Sequence, residues 1–539
     1  MRVITVKTGI YIFLILSCLS TGRAQDIPVP SEALTIDSIE IINNNVFDLT
    51  QPRYDNFLFR LANKFHICTR KSVIRREILL KEGNPYDTSL AYETIRNLRN
   101  LDYIFQVDLD IKKGSANENI LVVKTSDKWT TTAGVSYHRK GARNDIQLSF
   151  KENNLLGYGI FIAHDYFILE EERDYYQGEI RDNRVFGKEF SLKLLYNDSP
   201  RKSLYGISTG KPYYRLSQSW AFTTGYYRVN ERLDYYYLEE LSARDRIKSN
   251  NVDLVVSHKI GPRTLKYYFN YAYGYKDNIS PQRIYYITDP EQLEDVVAII
   301  PEEPEDSIIN YFEVTVGLIG INYHPFRRLN RFVKPEDINL GWEVEASIRA
   351  AYPQHQRRYL VGSISAGWTN NWGKLLFLTG GTTRYWWISG VSIRRLYSLY
   401  AKSYWRYHPN HTLVAKLKFD CDRRVNSSYN LYLDEENGLR GFPVYYDGGE
   451  YQILLNLENR VFSNIEILTV GIGGVIFADI GNVWSRKDAI RFSDLMATVG
   501  PGLRFGVSRS SEAEVVRIDF GYALTRGKWL ISVGTRQFF

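Results

Sequence analysis

Residues 451–461, YQILLNLENRV, carry the pattern that decides the fold. Apolar side chains occupy every second position from Tyr451 to Leu457, and the positions between them include Gln452 and Asn456. Successive side chains of a β-strand point to opposite faces. The alternation therefore predicts a strand with one apolar and one polar face.

The same period of two recurs beyond Trp129 without an intervening helical pattern, and about twenty strands can be marked by it. A soluble β-sandwich would also alternate. An open sheet of this width, however, would leave its edges exposed, and the charged second face suits a polar lumen better than a dry core. Tyr and Trp cluster at predicted strand ends, as at Trp386 and Trp387, where membrane barrels carry aromatic girdles. We therefore expect residues 129–539 to form an all-β transmembrane β-barrel.

Composition excludes several other classes of protein. The chain has 539 residues, of which 44% are hydrophobic and 41 are Tyr, a residue that favours strands. Beyond the first residues, no apolar run approaches the ~18–20 residues that a membrane helix needs. Cys68 and Cys421 lie far apart in the chain and give no sign of a disulfide scaffold.

The first residues are typical of a secretory signal. Arg2 and Lys7 precede a short apolar run, and Gly22 to Ala24 provide a small-x-small cleavage site, so residues 1–24 are predicted to be removed. A lipobox ending at Cys18 is the competing interpretation. Loss of Arg2, Lys7 and Arg23 lowers the net charge from +7 to +4, which gives no argument for a nucleic-acid partner.

Residues 25–128 have a mixed pattern that predicts one small α+β domain in the order strand, helices, strand, strand. Gly83 and Pro85 stop the second helix, and Asp87 or Thr88 can cap the third. The predicted elements are a strand over 35–42, helices over 54–65 and 70–80 and from 88 onward, and strands over 105–111 and 120–123.

Three short motifs follow one another in the predicted barrel, and Phe539 ends the chain. They are Gly438-Leu439-Arg440-Gly441-Phe442, Phe477-Ala478-Asp479-Ile480-Gly481 and Gly500-Pro501-Gly502-Leu503-Arg504. In this order they resemble the Arg-Gly-Phe, Phe-x-Asp-x-Gly and Gly-x-Gly-x-Arg motifs of the BamA/TamA outer-membrane assembly superfamily. The α+β domain resembles the periplasmic POTRA module of that family. The resemblance implies sixteen antiparallel strands, whereas the alternation itself gives up to twenty.

The resemblance also implies a lumen latch, formed by Arg440, Gly441 and Phe442 on an extracellular loop that folds back into the barrel. Alternation places Asp479 and Arg504 on the polar face. A guanidinium inside a barrel needs a carboxylate or aromatic partner. We expect Asp479 to pair with Arg440, with Glu458 as the next candidate.

Two departures from the family pattern bear on the barrel and on its role. Gln537 stands where the insertion signal of the last strand prefers an apolar residue, and Gly534 has no side chain to pack. Together with Phe539 they mark a weak lateral seam between the first strand, residues 131–139, and the last, residues 529–539. One POTRA module, rather than several, favours an accessory or specialised member.

Enzymatic motifs are weak. Gly206 to Gly210 match the nucleophile elbow G-x-S-x-G, but no helix follows them. His408 and His411 are separated by Pro409-Asn410, a pair that is typical of a hairpin turn rather than a metal site. We therefore predict no enzyme, no cofactor and no metal.

The expected function is insertion, assembly or translocation of other proteins at the cell outer membrane, with the POTRA module in the periplasm. The alternatives are a passive or substrate-specific pore, or a lipid or glycan exporter. The expected partners are outer-membrane lipids, extended client polypeptides bound at the edge strand over residues 104–111, and periplasmic accessory proteins.

Overall fold

The computed structural model describes residues 34–140, 143–170, 172–237, 240–279, 284–286, 307–354, 356–424, 431–435, 437–442, 447–485, 490–511 and 515–539. The predicted signal peptide and the alternative lipobox at Cys18 lie outside these residues. Two sheets dominate the described part, one small and one very large.

The small sheet and three helices form an α+β unit. Its sheet has the order β1-β3-β2, with β1 parallel and β2 antiparallel to β3. The core is made by buried side chains such as Ile36, Ile74, Leu98 and Val123. The elements are β1 (Ser38–Asn44), α1 (Phe57–Phe65), α2 (Lys71–Arg75), α3 (Thr88–Arg99), β2 (Ile104–Lys113) and β3 (Asn119–Asp127).

Helix ends in this unit follow local chemistry, with one exception. The Asp87 carboxylate accepts hydrogen bonds from the main-chain N–H groups of Ser89 and Leu90 and so caps α3. Helix α2, expected over residues 70–80, ends at Arg75 instead. Beyond it, Glu77 binds an arginine of the large sheet and Ile78 enters the core, so tertiary contacts override the helical pattern.

Twenty strands of the described chain form one large antiparallel sheet in chain order, with the two-residue β13 as an addition. The strands are β4 (Thr131–Lys140), β5 (Arg143–Glu152), β6 (Ile160–Leu169), β7 (Tyr175–Asp182), β8 (Ser191–Asp198), β9 (Lys202–Lys211), β10 (Trp220–Tyr237), β11 (Glu240–Ile260), β12 (Leu265–Ile279), β13 (Ile284–Tyr285), β14 (Ser307–Gly320), β17 (Trp342–Pro353), β18 (Tyr359–Trp372), β19 (Leu375–Ile388), β20 (Val391–His408), β21 (His411–Arg424), β24 (Tyr451–Ile467), β25 (Val470–Trp484), β26 (Met496–Val507), β27 (Val515–Ala523) and β28 (Lys528–Thr535). Two small hairpins lie apart from this sheet, β15 (Tyr323–Phe326) with β16 (Glu336–Asn339), and β22 (Leu431–Leu433) with β23 (Asp447–Gly449).

The expectation of sixteen strands is therefore wrong, and the count of twenty from alternation is right for the described residues. In the order of the sheet, the last strand β28 stands beside the first strand β4. The other neighbouring pairs of these twenty strands, such as β27 with β28, are paired residue by residue. No such residue-by-residue pairing joins β28 to β4 within the described residues. The last strand also stops at Thr535, four residues earlier than expected.

The two faces of the large sheet differ as the alternation predicts. In β25, Ile476 is 71% exposed, whereas its neighbour Phe477 is 2% exposed and Asp479 is fully buried. Exposed apolar side chains, such as Val135 and Val533, continue around the same outer face. On the opposite face of β24 to β27, polar groups such as Glu458, Asp479 and Asp519 are buried among one another, which is the environment that such groups require when they leave water.

None of the described helices has the length and apolar character needed to cross a membrane.

The α+β unit packs against one end of the large sheet, at the turns between strands. The contacts are hydrogen bonds and ion pairs at several of the connections at this end: Glu77 with Arg184, Glu93 with the main-chain N–H of Leu216, Asp87 with Arg263, Arg99 with Asp337, and the Val46 carbonyl with Arg509. The turns lie after β7, β9, β11, β14 and β26, so one small unit spans much of the sheet end.

The ion pair between Glu77 and Arg184 is expected to dominate this docking. Arg184 donates from Nε and Nη2 to the two Glu77 oxygens at 2.8 and 2.6 Å, and its guanidinium lies 3.7 Å from the Tyr214 ring centre. Both charged side chains are nearly buried. Glu77→Gln would leave Arg184 without its counter-charge, and we expect a loss of about 3–5 kcal/mol in the stability of the docked state.

The loss of docking stability is measured by limited proteolysis of residues 128–130, which join the α+β unit to β4. Glu82→Gln is the matched control, because Glu82 pairs with Arg75 at a largely exposed site, where an ion pair is worth about 0–1 kcal/mol. Equal protease sensitivity of the two variants would contradict the assignment.

Candidate functional site: a buried arginine cluster

The candidate site lies on the buried face of β24 to β27, beneath the chain segment that joins β21 to β24. Each strand contributes charged side chains through its period of two: Glu458 and Arg460 from β24, Asp479 from β25, Arg504 from β26, and Arg517 and Asp519 from β27. All except Arg517 are buried. Because neighbouring strands are in register, these side chains form one continuous layer.

Residues 437–442 descend onto this layer in a tight turn. Gly441 has φ of +83°, a left-handed conformation that an L side chain rarely adopts. Leu439 and Phe442 on either side are fully buried and pack with Leu454, Val483 and Met496. The turn therefore anchors itself by apolar contacts on both sides of Arg440.

Arg440 is fully buried and uses its whole guanidinium. Its Nε and Nη2 donate to the two oxygens of Asp479 at 2.7 and 2.9 Å, and its Nη1 donates to Glu458 at 2.9 Å and to Asp519 at 3.3 Å. The guanidinium lies between two aromatic rings, 3.5 Å from the centre of Phe477 and 4.1 Å from that of Phe538. A planar fork with five donors can make this set of contacts, whereas a lysine ammonium cannot.

Glu458 joins two halves of the cluster. Its Oε1 accepts from Arg440 at 2.9 Å and from Arg504 Nη2 at 3.3 Å, and its Oε2 accepts from Arg460 Nε at 2.7 Å. Arg460 in turn donates to the carbonyl of Leu329 and to Asn330 Oδ1, at 2.9 and 3.0 Å. One carboxylate thus links the turn from one end of the sheet to a segment from the other end.

That second segment is residues 321–341, between β14 and β17. Phe332 packs against Phe462 with ring centres 5.1 Å apart, and Leu329 is buried with Tyr404 and Val414. The segment therefore lies across the buried face of the sheet and fills space beside the arginine cluster.

Residues 536–539 turn onto the same cluster. Arg536 has φ of +70°, and beyond it Gln537 accepts from Arg504 Nε at 2.9 Å and donates to the Asn330 carbonyl at 3.0 Å. The main-chain oxygen of Phe539 accepts from Arg460 at 2.9 Å. The Gln537 side chain therefore belongs to a partly buried hydrogen-bond network, and its part in a weak lateral seam stays a prediction.

Gly534 leaves space for a charged side chain of the neighbouring strand. A Cβ at this position would lie 2.8 Å from Arg517 Nη2, so the glycine makes room for that guanidinium. Arg517 donates to Asp519 at 2.7 Å and to Ser532 Oγ at 3.1 Å.

The structure brings together Arg440, Asp479, Glu458 and Arg504, with Gly441 and Phe442 in the turn. Sequence reasoning missed Arg460, Arg517, Asp519, Phe538 and the 321–341 segment. The alternation did place Arg517 and Asp519 together on the polar face of β27, which was a usable signal. No local signal marks residues 321–341.

Neither enzymatic motif has the required surroundings. Gly206 to Gly210 lie inside β9, where Ser208 pairs with Gly225 of β10, and no strand-to-helix turn exists there. His408 and His411 flank the two-residue turn between β20 and β21.

Neutralising Glu458 should destabilise the cluster more than any surface change on the same strand. Glu458→Gln removes the charge shared by Arg440, Arg460 and Arg504, and we expect a loss of about 3–5 kcal/mol. Glu466→Gln is the control, because Glu466 is paired with the exposed Arg53 at 3.4 Å. The readout is the temperature at which the folded band is lost on a mild-detergent gel, and an equal temperature for both variants would contradict the prediction.

No family model matches the chain. Two curated proteins share sequence with it. "Outer membrane protein assembly factor BamA" of Neorickettsia risticii (strain Illinois) is 26% identical over 226 residues, which is 38% of this chain and 29% of that protein. "Putative outer membrane protein assembly factor" of Treponema pallidum (strain Nichols) is 27% identical over 169 residues, which is 29% of this chain and 20% of that protein. The chain thus spans less than a third of the length of these relatives.

Solved structures similar to the chain include BamA from Haemophilus ducreyi lacking POTRA domains 1–3, with a TM-score of 0.36 at 12% identity, covering 94% of this chain and 83% of that one. CdiB from Acinetobacter baumannii has a TM-score of 0.41 at 10% identity, with coverage of 94% and 74%. CdiB from Escherichia coli has a TM-score of 0.43 at 12% identity, with coverage of 94% and 75%.

Proposed function

We propose that this chain, which shares sequence with outer-membrane assembly factors of the BamA type, inserts, assembles or translocates other proteins at the outer membrane. Residues 129–539 form the membrane barrel, which closes between β4 and β28. Residues 25–128 form a POTRA-type domain in the periplasm, behind a signal peptide of residues 1–24. The chain acts without cofactor or enzymatic chemistry.

The observation that carries the proposal is the occupied interior at the arginine cluster. The turn over residues 437–442 and the segment over residues 321–341 reach this cluster from opposite ends of the sheet and meet at Glu458. A passive pore gains nothing from two such obstructions. A protein that must keep its barrel in one state until a client polypeptide binds requires both segments in the barrel interior.

Client binding is expected at β2. In the described three-stranded sheet this strand pairs with β3 on one side. An extended polypeptide can add to such an edge through main-chain hydrogen bonds, which tolerates many client sequences. The apolar outer face of the large sheet gives the lipid-contacting surface, and exposed residues such as Ile476 and Val533 belong to it.

Depletion of the protein in its native cell tests the proposal. We expect the abundance of a set of outer-membrane proteins to fall, and re-expression of the wild-type chain to restore it. An unchanged outer-membrane proteome with altered surface lipid or polysaccharide would overturn the proposal in favour of lipid or glycan export. Steady ion conductance of the purified wild-type chain in a planar bilayer, again with an unchanged proteome, would favour the passive pore.

A further inference from the structure

We propose that His66, Cys68 and Asp127 bind one divalent transition-metal ion of the zinc type where the α+β unit meets the large sheet. This inference is independent of the proposed function. No metal was predicted from the sequence, and His66 and Asp127 lie 61 positions apart in it. The fold brings them together.

Three elements converge at the site. His66 caps the C-terminal end of α1, Cys68 follows two residues later, and Asp127 is the last residue of β3. His66 Nε2 lies 3.1 Å from Asp127 Oδ2, and one potential ligand atom from each of the three residues lies within 4.8 Å of the other two. The three atoms are a nitrogen, a sulfur and a carboxylate oxygen, which is a donor set that suits zinc.

The Asp127 carboxylate gives the second, independent indication. The side chain is fully buried, and its Oδ2 already accepts from the main-chain N–H of Thr69 at 2.6 Å. Its Oδ1 is buried without a hydrogen-bond partner. A buried carboxylate oxygen without a hydrogen-bond partner costs free energy, and a cation bound to that oxygen would offset this cost.

The geometry needs only small adjustments. Ligand atoms at the usual 2.0–2.3 Å from a tetrahedral zinc ion are roughly 3.3–3.8 Å apart. The separations in this cluster reach 4.8 Å at most, which is about 1 Å beyond that range. Three protein ligands leave the fourth position to water.

Such an ion would brace the start of the large sheet. Asp127 lies four residues before β4, and Thr69, beside Cys68, accepts a hydrogen bond from Asn154 at the end of β5 at 2.8 Å. A bound ion would therefore tie the loop after α1 to the chain that enters the first strand. This placement gives it a structural or regulatory role.

The purified full chain in detergent, stripped with a chelator and dialysed against Zn²⁺ or Co²⁺, tests the inference. We expect one zinc ion per chain by elemental analysis, and a thiolate-to-cobalt charge-transfer absorption with Co²⁺. Cys68→Ser should abolish that absorption, and Cys421→Ser, which removes the buried thiol of β21, should retain it. Asp127→Asn should weaken zinc binding by more than the roughly 10–100-fold that loss of an indirect supporting contact costs.

Folding of each variant is checked by its band shift on heating, and maleimide labelling provides a readout independent of spectroscopy. Zn²⁺ should protect Cys68 from labelling in the Cys421→Ser background. Absence of stoichiometric zinc in the wild-type chain, or a charge-transfer band that persists in folded Cys68→Ser, would overturn the inference. If Cys68→Ser does not fold, unimpaired zinc binding by folded Asp127→Asn decides against it.

Discussion

Arg440→Ala should release the turn over residues 437–442 from the buried face and abolish activity. The substitution removes the arginine partner of Asp479, one of the cationic partners of Glu458 and of Asp519, and the guanidinium that contacts the rings of Phe477 and Phe538. Loss of one partner from a buried ion pair costs about 3–5 kcal/mol, because the remaining charges stay buried without compensation. Here Asp479 loses its arginine, whereas Glu458 keeps Arg460 and Arg504 and Asp519 keeps Arg504 and Arg517, so the effect should lie within this range.

The measurements are the temperature at which the folded band disappears on a mild-detergent gel and the ability of the variant to restore the outer-membrane proteome after depletion. Arg423→Ala is the control, because Arg423 lies just before the same loop but its side chain is 57% exposed in its pair with Glu450. Arg440→Lys should be intermediate, since it keeps the charge but loses the two-pronged contact with Asp479. Wild-type behaviour of Arg440→Ala in both assays would refute the latch.

Charge reversal should not rescue the loss. In a simple pair, Arg440→Asp combined with Asp479→Arg restores opposite charges. In this cluster the new aspartate would face Glu458 and Asp519, whose oxygens lie 2.9 and 3.3 Å from the present guanidinium. Like charges this close in a buried site repel strongly. The failed rescue distinguishes a cluster from an isolated pair.

Locking β4 to β28 should abolish activity while leaving the barrel folded. This prediction rests on the proposed function, in which a client strand leaves through the seam between these two strands. Strand β28 is short, with eight residues against seventeen in β24. On the other side of the seam, a Cβ added at Gly134 of β4 would have no neighbouring atom within 4 Å. The space beside Gly134 is therefore open, whereas on the β28 side Gly534 leaves room for the Arg517 guanidinium.

The experiment pairs Val135→Cys with Ile531→Cys or Val533→Cys, all on the exposed face, in a background with Cys68→Ser and Cys421→Ser. Disulfide formation requires Cα atoms about 4.4–6.8 Å apart, so the two pairs sample two registers. The control pair is Leu503→Cys with Ile518→Cys, which are direct partners across β26 and β27. We expect oxidation to block activity at the seam, reduction to restore it, and the control disulfide to have no effect. Full activity of a locked seam would exclude lateral release and favour passage through the lumen.

Alternation alone predicted the large sheet and the direction in which its side chains point. This succeeded because the period of two is a property of the strand itself, independent of what the strand packs against. Ile476 and Phe477 point to opposite faces for that reason, and Asp479, Glu458 and Arg504 could be assigned to one polar face before any contact was known. The same local logic limited the α3 cap to Asp87 or Thr88, and Asp87 is the residue that caps the helix.

Only the tertiary structure decided how that polar face is completed. The contact between Gln537 and the Asn330 carbonyl joins residues 207 positions apart, and the contact between Arg440 and Asp519 spans 79. No local period encodes such distances. Helix α2 is short because Glu77 binds Arg184 across 107 positions, and His66 meets Asp127 across 61. The geometry of the strand determines where a side chain points. The partner of that side chain depends on which elements the fold brings within hydrogen-bond range. A charge can be buried only where a counter-charge is buried beside it.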